Sequence, residues 1–594
     1  MKRLIKAGDF IKTLVFIFPM TFRSCPVLFL SGNMFGLFAG LLIGVQTSVT
    51  AAFFNAVSVM AAGGYKKAVL WGIALGAVVL GNEVVNGLMN FFLECASKKA
   101  TVEYQVRLQE KAGNLTALDY EKPENLDLLE KASQGAQNAS RFMSEVMQLF
   151  TIYIPYLLYM GFYLYRTSPV LAFSLPVIFL PVVLNQAIRS RIFAETWNQS
   201  ASERRKRDYF RRCIADREYM KETRILGETE FFAGKFQKAL SALATLEHEA
   251  DKRTDGWRAV MAGITLLGYC GVLFLLVRSL IRGEIRVGSF AAVFASVDMM
   301  YGIMNEIVEG RLGSIARNYG MVKNFMDFLA FPDLRTKETK GSAIAKEGIA
   351  MEVTGVHFRY PGMEKESLRN VSFTIKEGET LAIVGENGAG KSTLMEVMMG
   401  MYLPESGAVR IYGSNTAKES RYEMVSAVFQ QFQRYQMTLR ENVAISVPGR
   451  RGGEYIDKAL EQAGISQDAF IFPEEGDTML SRQFGGKELS GGQWQRIAIA
   501  RGIYRTHDIL FLDEPTAAID PVEETELYHR FEKMCEGKTA VIVTHRMGCA
   551  RIADRIIVMK DGEKVEEGTH QELFEKGGWY RYYWDMQAKK YLTT

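Results

Sequence analysis

Cysteine is scarce in this chain. Only six occur in 594 residues (Cys25, Cys95, Cys213, Cys270, Cys535, Cys549), and no two form a C-x-x-C pair. That argues against a disulfide framework and against a zinc site, and it fits a reducing cytosol. An excess of charge is missing too. Lys plus Arg number 71 against 67 for Asp plus Glu, a net charge of +4. No basic footprint for nucleic acid exists, so nucleic acid is not expected as a partner. A cleavage site is also missing. The start Met1-Lys-Arg-Leu-Ile-Lys resembles the basic end of a signal peptide, but no small-residue site follows and many more apolar runs do. It reads as a cytoplasmic N-terminus. Internal repeats and low-complexity segments are absent.

What is present falls into two unlike parts. A chain of 594 residues is too long for one core, so at least two domains are expected. Before about residue 310, long apolar runs alternate with charged stretches; after about residue 345 the pattern is that of a soluble α/β domain. A helix crossing a bilayer needs ~20 mostly apolar residues, because each residue rises ~1.5 Å through a ~30 Å hydrocarbon core. Six runs qualify, at 26–46, 68–93, 147–165, 170–188, 259–277 and 287–308. The first can extend to about residue 59, and residues 10–22 read as an amphipathic helix leading into it.

The connections between runs are unequal. Those at 61–67, 166–169 and 278–286 are short, while 94–146 and 189–258 are long and charged. An inside N-terminus places both long connections, and the C-terminal part, in the cytoplasm. Lys66, Lys67, Arg278, Arg282 and Arg286 then lie outside, against the usual bias, but the long connections carry many more basic residues. Turn-forming residues interrupt the long connections at 114–127 and 213–227, where short transverse helices are expected. The expected organisation is a six-span, all-α domain over 1–330, a linker over 331–348 and an α/β domain over 349–594.

The chemistry lies in the second domain. The apolar strand Thr380-Leu-Ala-Ile-Val runs into Gly385-Glu386-Asn387-Gly388-Ala389-Gly390-Lys391-Ser392-Thr393, and a helical stretch follows. This is a complete G-x-x-x-x-G-K-[ST] phosphate loop in its strand–loop–helix setting. Its glycines let backbone N–H groups close on phosphate oxygens, and the helix N-terminus adds positive potential. Lys391 should reach the β- and γ-phosphates, and the Ser392 hydroxyl should face Mg²⁺. A second apolar strand, Ile509-Leu-Phe-Leu, ends in Asp513-Glu514. Asp513 suits the Mg²⁺ shell, and Glu514 suits a general base or a positioner of the attacking water. A third, Thr539-Ala-Val-Ile-Val-Thr, ends in His545, where catalytic residues of such sheets lie.

Leu489-Ser490-Gly491-Gly492-Gln493, followed by Trp-Gln-Arg-Ile-Ala-Ile-Ala-Arg, matches the signature of ABC transporter ATPases. The motif order matches as well: phosphate loop, glutamine loop, signature, acidic strand, Ala517-Ala-Ile-Asp520, His545. The six-run layout with two long inner connections resembles the exporter-type membrane domain of the same family, as in bacterial peptide and multidrug exporters. The resemblance covers nearly the whole chain. It implies a multi-pass protein of the cell membrane, in contact with lipid, that couples hydrolysis of ATP with Mg²⁺ to transport. It implies that Tyr360 stacks on adenine and that Gln430 touches Mg²⁺, with Gln431 a weaker candidate. Ser490, Gly491, Gly492 and Gln493 would meet ATP held by the opposite subunit, His545 would contact the γ-phosphate, and Asp520 would link the two sites. A second half-transporter is therefore required. Glu514, Ser490 and His545 are all intact, which favours a homodimer and leaves a heterodimer open.

Departures are small. Ile519 replaces a frequent Leu, and Ser481-Arg-Gln-Phe-Gly-Gly-Lys-Glu lacks the form common in multidrug exporters and looks more like peptide exporters. Export of peptide leads, with drugs or lipids behind it. The alternatives are an importer on the exporter architecture, for example for a metal chelator, and an ATPase acting as a channel or regulator. For the cargo, Asp298, Asn305 and Glu309 fall on one stripe of the sixth run at ~100° per residue. Glu83, Asn86 and Asn90 cluster on one face of the second. Ionisable groups at membrane depth usually face a cavity, so Glu83, Asp298 and Asn305 are the candidate cargo residues, suited to a cationic or amphipathic substrate.

Overall fold

The computed structural model describes residues 7–59, 65–167, 169–331, 348–417, 421–447, 449, 453–465, 470–514, 531–532, 534–535 and 537–592. The chain separates into two compact units. One comprises Met1–Gly113 and Asp127–Phe331, the other Asn114–Leu126 and Pro332–Thr594. Apart from its ends, the linker expected at 331–348 lies outside the described residues.

The first unit is helical. Among the described residues, five of its helical stretches are long and apolar enough to cross a membrane: Pro26–Ser58, Tyr65–Gly113, Pro123–Thr167, Thr229–Ile281 and Val287–Leu329. The fourth expected run falls in one continuous helix, Pro169–Gln199, in which the side chains of residues 174–179 lie outside the described set. Several helices are far longer than a bilayer needs. Tyr65–Gly113 has 49 residues and Thr229–Ile281 has 53, so the charged connections extend the spanning helices. The lead-in helix Ala7–Ser24 buries one face. Thr13 and Ile17 are fully covered, and Thr21 Oγ1 meets Tyr104 Oη at 2.5 Å.

Glycines set how closely these helices approach. Gly32, Gly36, Gly40 and Gly44 recur every four residues on the first spanning helix, so they share a face. A Cβ on Gly40 would collide with the Ile152 carbonyl, and one on Gly44 would come within 2.7 Å of Tyr159 Cγ. Small residues on such a stripe let backbones pack in contact. The facing segment is unusual. Leu149–Tyr153 is a turn of π-helix inside the third spanning stretch, and a second, Glu306–Leu312, interrupts the last one.

Among its described residues, the second unit contains two sheets. The strands are β1 (Ile349–Phe358), β2 (Leu368–Lys376), β3 (Thr380–Gly385), β4 (Ser406–Ile411), β5 (Ser414–Asn415), β6 (Val425–Val428), β7 (Ile509–Asp513), β8 (Thr539–Thr544), β9 (Arg555–Lys560) and β10 (Glu563–Gly568). One sheet runs β2-β1-β4-β5 and the other β10-β9-β3-β8-β7-β6. The central strands β3, β7 and β8 are buried at every position and pair in parallel. A parallel strand covered on both faces reads as an unbroken apolar run, which is why all three were visible in sequence. Their parallel pairing places the C-terminal ends of β3, β7 and β8 side by side, where ligands bind in sheets of this kind.

Candidate active site

The phosphate loop leaves β3 at Gly385, whose φ is 155° and whose hypothetical Cβ would strike the Met559 carbonyl. Gly390, at φ 93°, is the N-cap of the helix Lys391–Met398. Both positions demand glycine, and such backbone lets successive N–H groups curl around an anion. Lys391 is buried. Its Nζ donates to the carbonyls of Gly385 at 3.0 Å and Glu386 at 2.9 Å, so the ammonium closes the loop on itself. Burial pulls its pKa down, and the nearby carboxylates of Glu514 and Asp513 oppose that.

The acidic pair sits at the end of β7. Ser392 Oγ donates to Asp513 Oδ1 at 3.4 Å. Burial pushes Asp513 up to about 6, with the Glu514 charge adding to the effect. Glu514 has left the strand conformation. Its φ of 42° is rare for a side-chain-bearing residue, and its N–H donates to the Val543 carbonyl at 2.9 Å. The turn brings its carboxylate between two other strand ends. Gln430 Nε2 donates to Glu514 Oε2 at 2.5 Å, and His545 Nδ1 lies 2.7 Å from Glu514 Oε1. Two residues far apart in the chain thus converge on the Glu514 carboxylate. Backbone strain of this kind concentrates at functional sites.

These groups open on one cavity of about 750 Å³, lined by Tyr360, Asn387, Gly388, Gly390, Lys391, Ser392, Thr393, Gln430, Glu514 and His545. Gly385, Glu386 and Ala389 shape the loop behind it. Tyr360 Oη donates to Glu396 Oε2 and meets Thr393 Oγ1, each at 3.2 Å. Gln431 does not line this cavity; it faces a separate one of about 490 Å³ with Ala117 and Phe432. The signature residues are also elsewhere. Ser490 is exposed and caps its own helix, Gly491–Tyr504: its Oγ accepts from the Gln493 N–H at 3.3 Å, and Gln493 Oε1 accepts the Ser490 N–H at 2.8 Å. Gly491 and Gly492 form the first turn of that helix. Asp520 lies outside the described residues.

Sequence reasoning missed Lys365, Arg546 and Asp561, which also line the cavity. Arg546 directly follows His545, and that adjacency was the available signal. The residues singled out for cargo form a less coherent set. Glu83, Asn86 and Asn90 are exposed on the helix Tyr65–Gly113, with Asn90 Nδ2 donating to Asn86 Oδ1 at 3.5 Å. Asn305 is the last residue before the π turn Glu306–Leu312. The side chains of Asp298 and Glu309 lie outside the described set. Sequence reasoning overlooked the polar group beside it, where Arg311 Nη2 donates to Glu306 Oε1 at 2.8 Å and Nε to Tyr153 Oη at 3.3 Å.

Chemistry of this kind, fused to a helical unit that crosses a membrane, belongs to transporters driven by nucleotide hydrolysis. Residues 368–517 match the family model described as ABC transporter. The nisin transport ATP-binding protein NisT of Lactococcus lactis subsp. lactis is 26% identical over 490 residues, 80% of this chain and 80% of its own. The subtilin transport ATP-binding protein SpaT of Bacillus subtilis is 26% identical over 588 residues, 95% of this chain and 94% of its own. A solved bacterial Atm1-family ABC exporter with ATP bound superposes with a TM-score of 0.77 at 20% identity, over 93% of this chain and 98% of that one. This chain therefore carries an ABC transporter ATPase domain and is homologous to half-transporter exporters. It is a multi-pass membrane protein, and ATP is the nucleotide its ATPase domain implies.

Proposed function

We propose that the chain exports a peptide across the cell membrane by ATP-driven alternating access, as one half of a dimer. The observation that carries the dimer is the position of Ser490. The signature is absent from the lining of the cavity that holds Lys391, Glu514 and His545, and its helix N-terminus is exposed. A helix N-terminus of this kind attracts an anion. In this reading it closes over the phosphates held by the opposite subunit, so two ATP molecules lie between two chains, with Asp520 linking the sites.

Within one chain the roles divide as follows. Backbone N–H groups of the loop and Lys391 hold the phosphates, and Tyr360 takes the adenine. Glu514 accepts a proton from the attacking water, and Gln430 and His545 hold its carboxylate in place. The oxygens of Ser392, Asp513 and Gln430 form a hard donor set that fits Mg²⁺. The fit is supported by the crowding of Asp513 and Glu514, whose mutual repulsion a cation would relieve. Bound there, the ion would neutralise phosphate charge. Peptide is the favoured cargo because two relatives aligned over most of this chain are transport proteins for nisin and subtilin. A homodimer is favoured, since each chain carries every ATP-site residue. The test is ATP hydrolysis by the purified protein in liposomes. Cationic peptides should stimulate it and accumulate inside inside-out vesicles; hydrolysis without peptide stimulation, or accumulation only in right-side-out vesicles, would overturn the proposal.

A further inference from the structure

Residues Asn114–Leu126 fall in a stretch expected to carry a short helix, and one forms at Ala117–Tyr120. They pack with the ATPase core in one compact unit. Ala117 and Leu118 lie against the cluster that contains Phe358 and Tyr402. A capping box makes the short helix stiff: Asp119, 2% exposed, bonds the Thr116 N–H and hydroxyl. Next along the chain, Glu121 Oε1 accepts a hydrogen bond from Tyr402 Oη at 3.1 Å.

Tyr402 in turn belongs to an aromatic cluster ending at the nucleotide cavity. Its ring stacks on Phe358 at 5.4 Å, and the Tyr360 ring stands edge-on to both, at 5.1 Å from Phe358 and 5.5 Å from Tyr402. Tyr402 is 7% exposed and Phe358 1%, so neither ring can shift alone in a close-packed interior. The remaining constraint on Tyr360 is its hydroxyl, which donates to Glu396 and meets Thr393 Oγ1. Glu396 lies on the phosphate-loop helix, one turn after Ser392. Its carboxyl is half-buried and raised above its ordinary range, chiefly by burial. Neither Glu396 nor Tyr402 lines the cavity.

We infer that Glu396 and Tyr402 are positioning residues that report an adenine on Tyr360 to the segment Asn114–Leu126. The inference rests on Tyr360 as the adenine partner. A base stacked on one face of Tyr360 fixes a ring held at its hydroxyl by Glu396 and at its edge by Tyr402. The Tyr402 hydroxyl passes that constraint to Glu121, and the capping box makes the short helix respond as one body. The base matters, because the phosphates alone do not touch Tyr360's ring face. An aromatic cluster serving only as core would lose the Tyr402–Glu121 bond in Tyr402→Phe equally with and without nucleotide, leaving the response of the segment to the analogue intact.

The experiment uses the full chain in lipid nanodiscs, with hydrogen exchange of the amides of residues 114–126 as the readout. The probes are a non-hydrolysable ATP analogue and inorganic tripolyphosphate, each with magnesium. The analogue should slow exchange in this segment by several-fold and tripolyphosphate should not, since exchange reports local opening. Tyr402→Phe and Glu396→Gln should each lose the effect of the analogue, while its affinity and the unfolding temperature stay at wild-type values. Retained protection in both variants, equal protection by tripolyphosphate, or loss of affinity in step with loss of protection would each overturn the inference. Tyr360→Ala separates the underlying reading. Stacking on an aromatic ring is worth roughly tenfold or more in affinity, so unchanged analogue affinity in that variant shows that the adenine assignment itself has failed.

Discussion

Glu514→Gln is the sharpest perturbation of the ATP site. The change is isosteric. It keeps the 2.9 Å bond from the residue 514 N–H to Val543 that holds the turn at φ 42°, so the fold at the end of β7 should survive. What it removes is the carboxylate held between Gln430 and His545. A positioned base contributes ~10²–10⁴-fold in rate. At about 1.4 kcal/mol per tenfold, the variant should lose roughly 3–6 kcal/mol of transition-state stabilisation. Binding should not suffer, because one negative charge beside the phosphates has gone while Lys391 stays. The assay is turnover by the purified protein in lipid, paired with nucleotide affinity and size analysis with ATP and magnesium. Turnover should fall by the stated factor while ATP accumulates in a stable dimer. Near-normal turnover would refute the assignment of Glu514 as the base, and loss of ATP binding in step with turnover would refute the claim that it acts only on the chemistry.

Further outcomes follow from the same geometry. Lys391→Ala opens the loop at the Gly385 and Glu386 carbonyls and should weaken ATP binding by at least tenfold; an unchanged dissociation constant counts against it. Asp513 is raised from an ordinary 3.8 to about 6, so the folded protein holds this proton more tightly than the unfolded chain. Its stability contribution is present below about pH 4 and lost as pH rises to about 6, a difference of order 2–3 kcal/mol. Asp513→Asn should flatten that loss in nucleotide-free thermal unfolding, and an unaltered pH slope would contradict the burial argument. Disrupting the exposed Tyr120 (Tyr120→Ala) should leave basal ATPase activity intact and abolish peptide stimulation; full stimulation with normal transport would refute a coupling role. Glu83→Gln should shift cargo preference from cationic towards neutral peptides in transport assays, and an unchanged preference would assign Glu83 a purely structural role.

Local rules made much of this protein legible in sequence. The phosphate loop is a contiguous string whose glycines and lysine each have a backbone or charge reason. The strands β3, β7 and β8 are unbroken apolar runs because they are covered on both faces. Apolar length announced the spanning helices, and the turn-forming residues at 114–127 announced a short helix there, formed at Ala117–Tyr120. Other features depended on contacts between distant residues. Nothing in Gln430, Glu514 or His545 alone says that one carboxylate joins all three. Parallel pairing of β8 with β7 brings those strand ends together, and the positive φ at Glu514 turns the side chain towards its partners. The π turns at Leu149–Tyr153 and Glu306–Leu312 were invisible to a 3.6-residue period. The bond from Tyr402 to Glu121 spans 281 residues. Spacing and composition fix what a segment can become on its own, whereas a pairing of this range exists only after two separately determined elements have packed, and the packing decides which of their side chains meet.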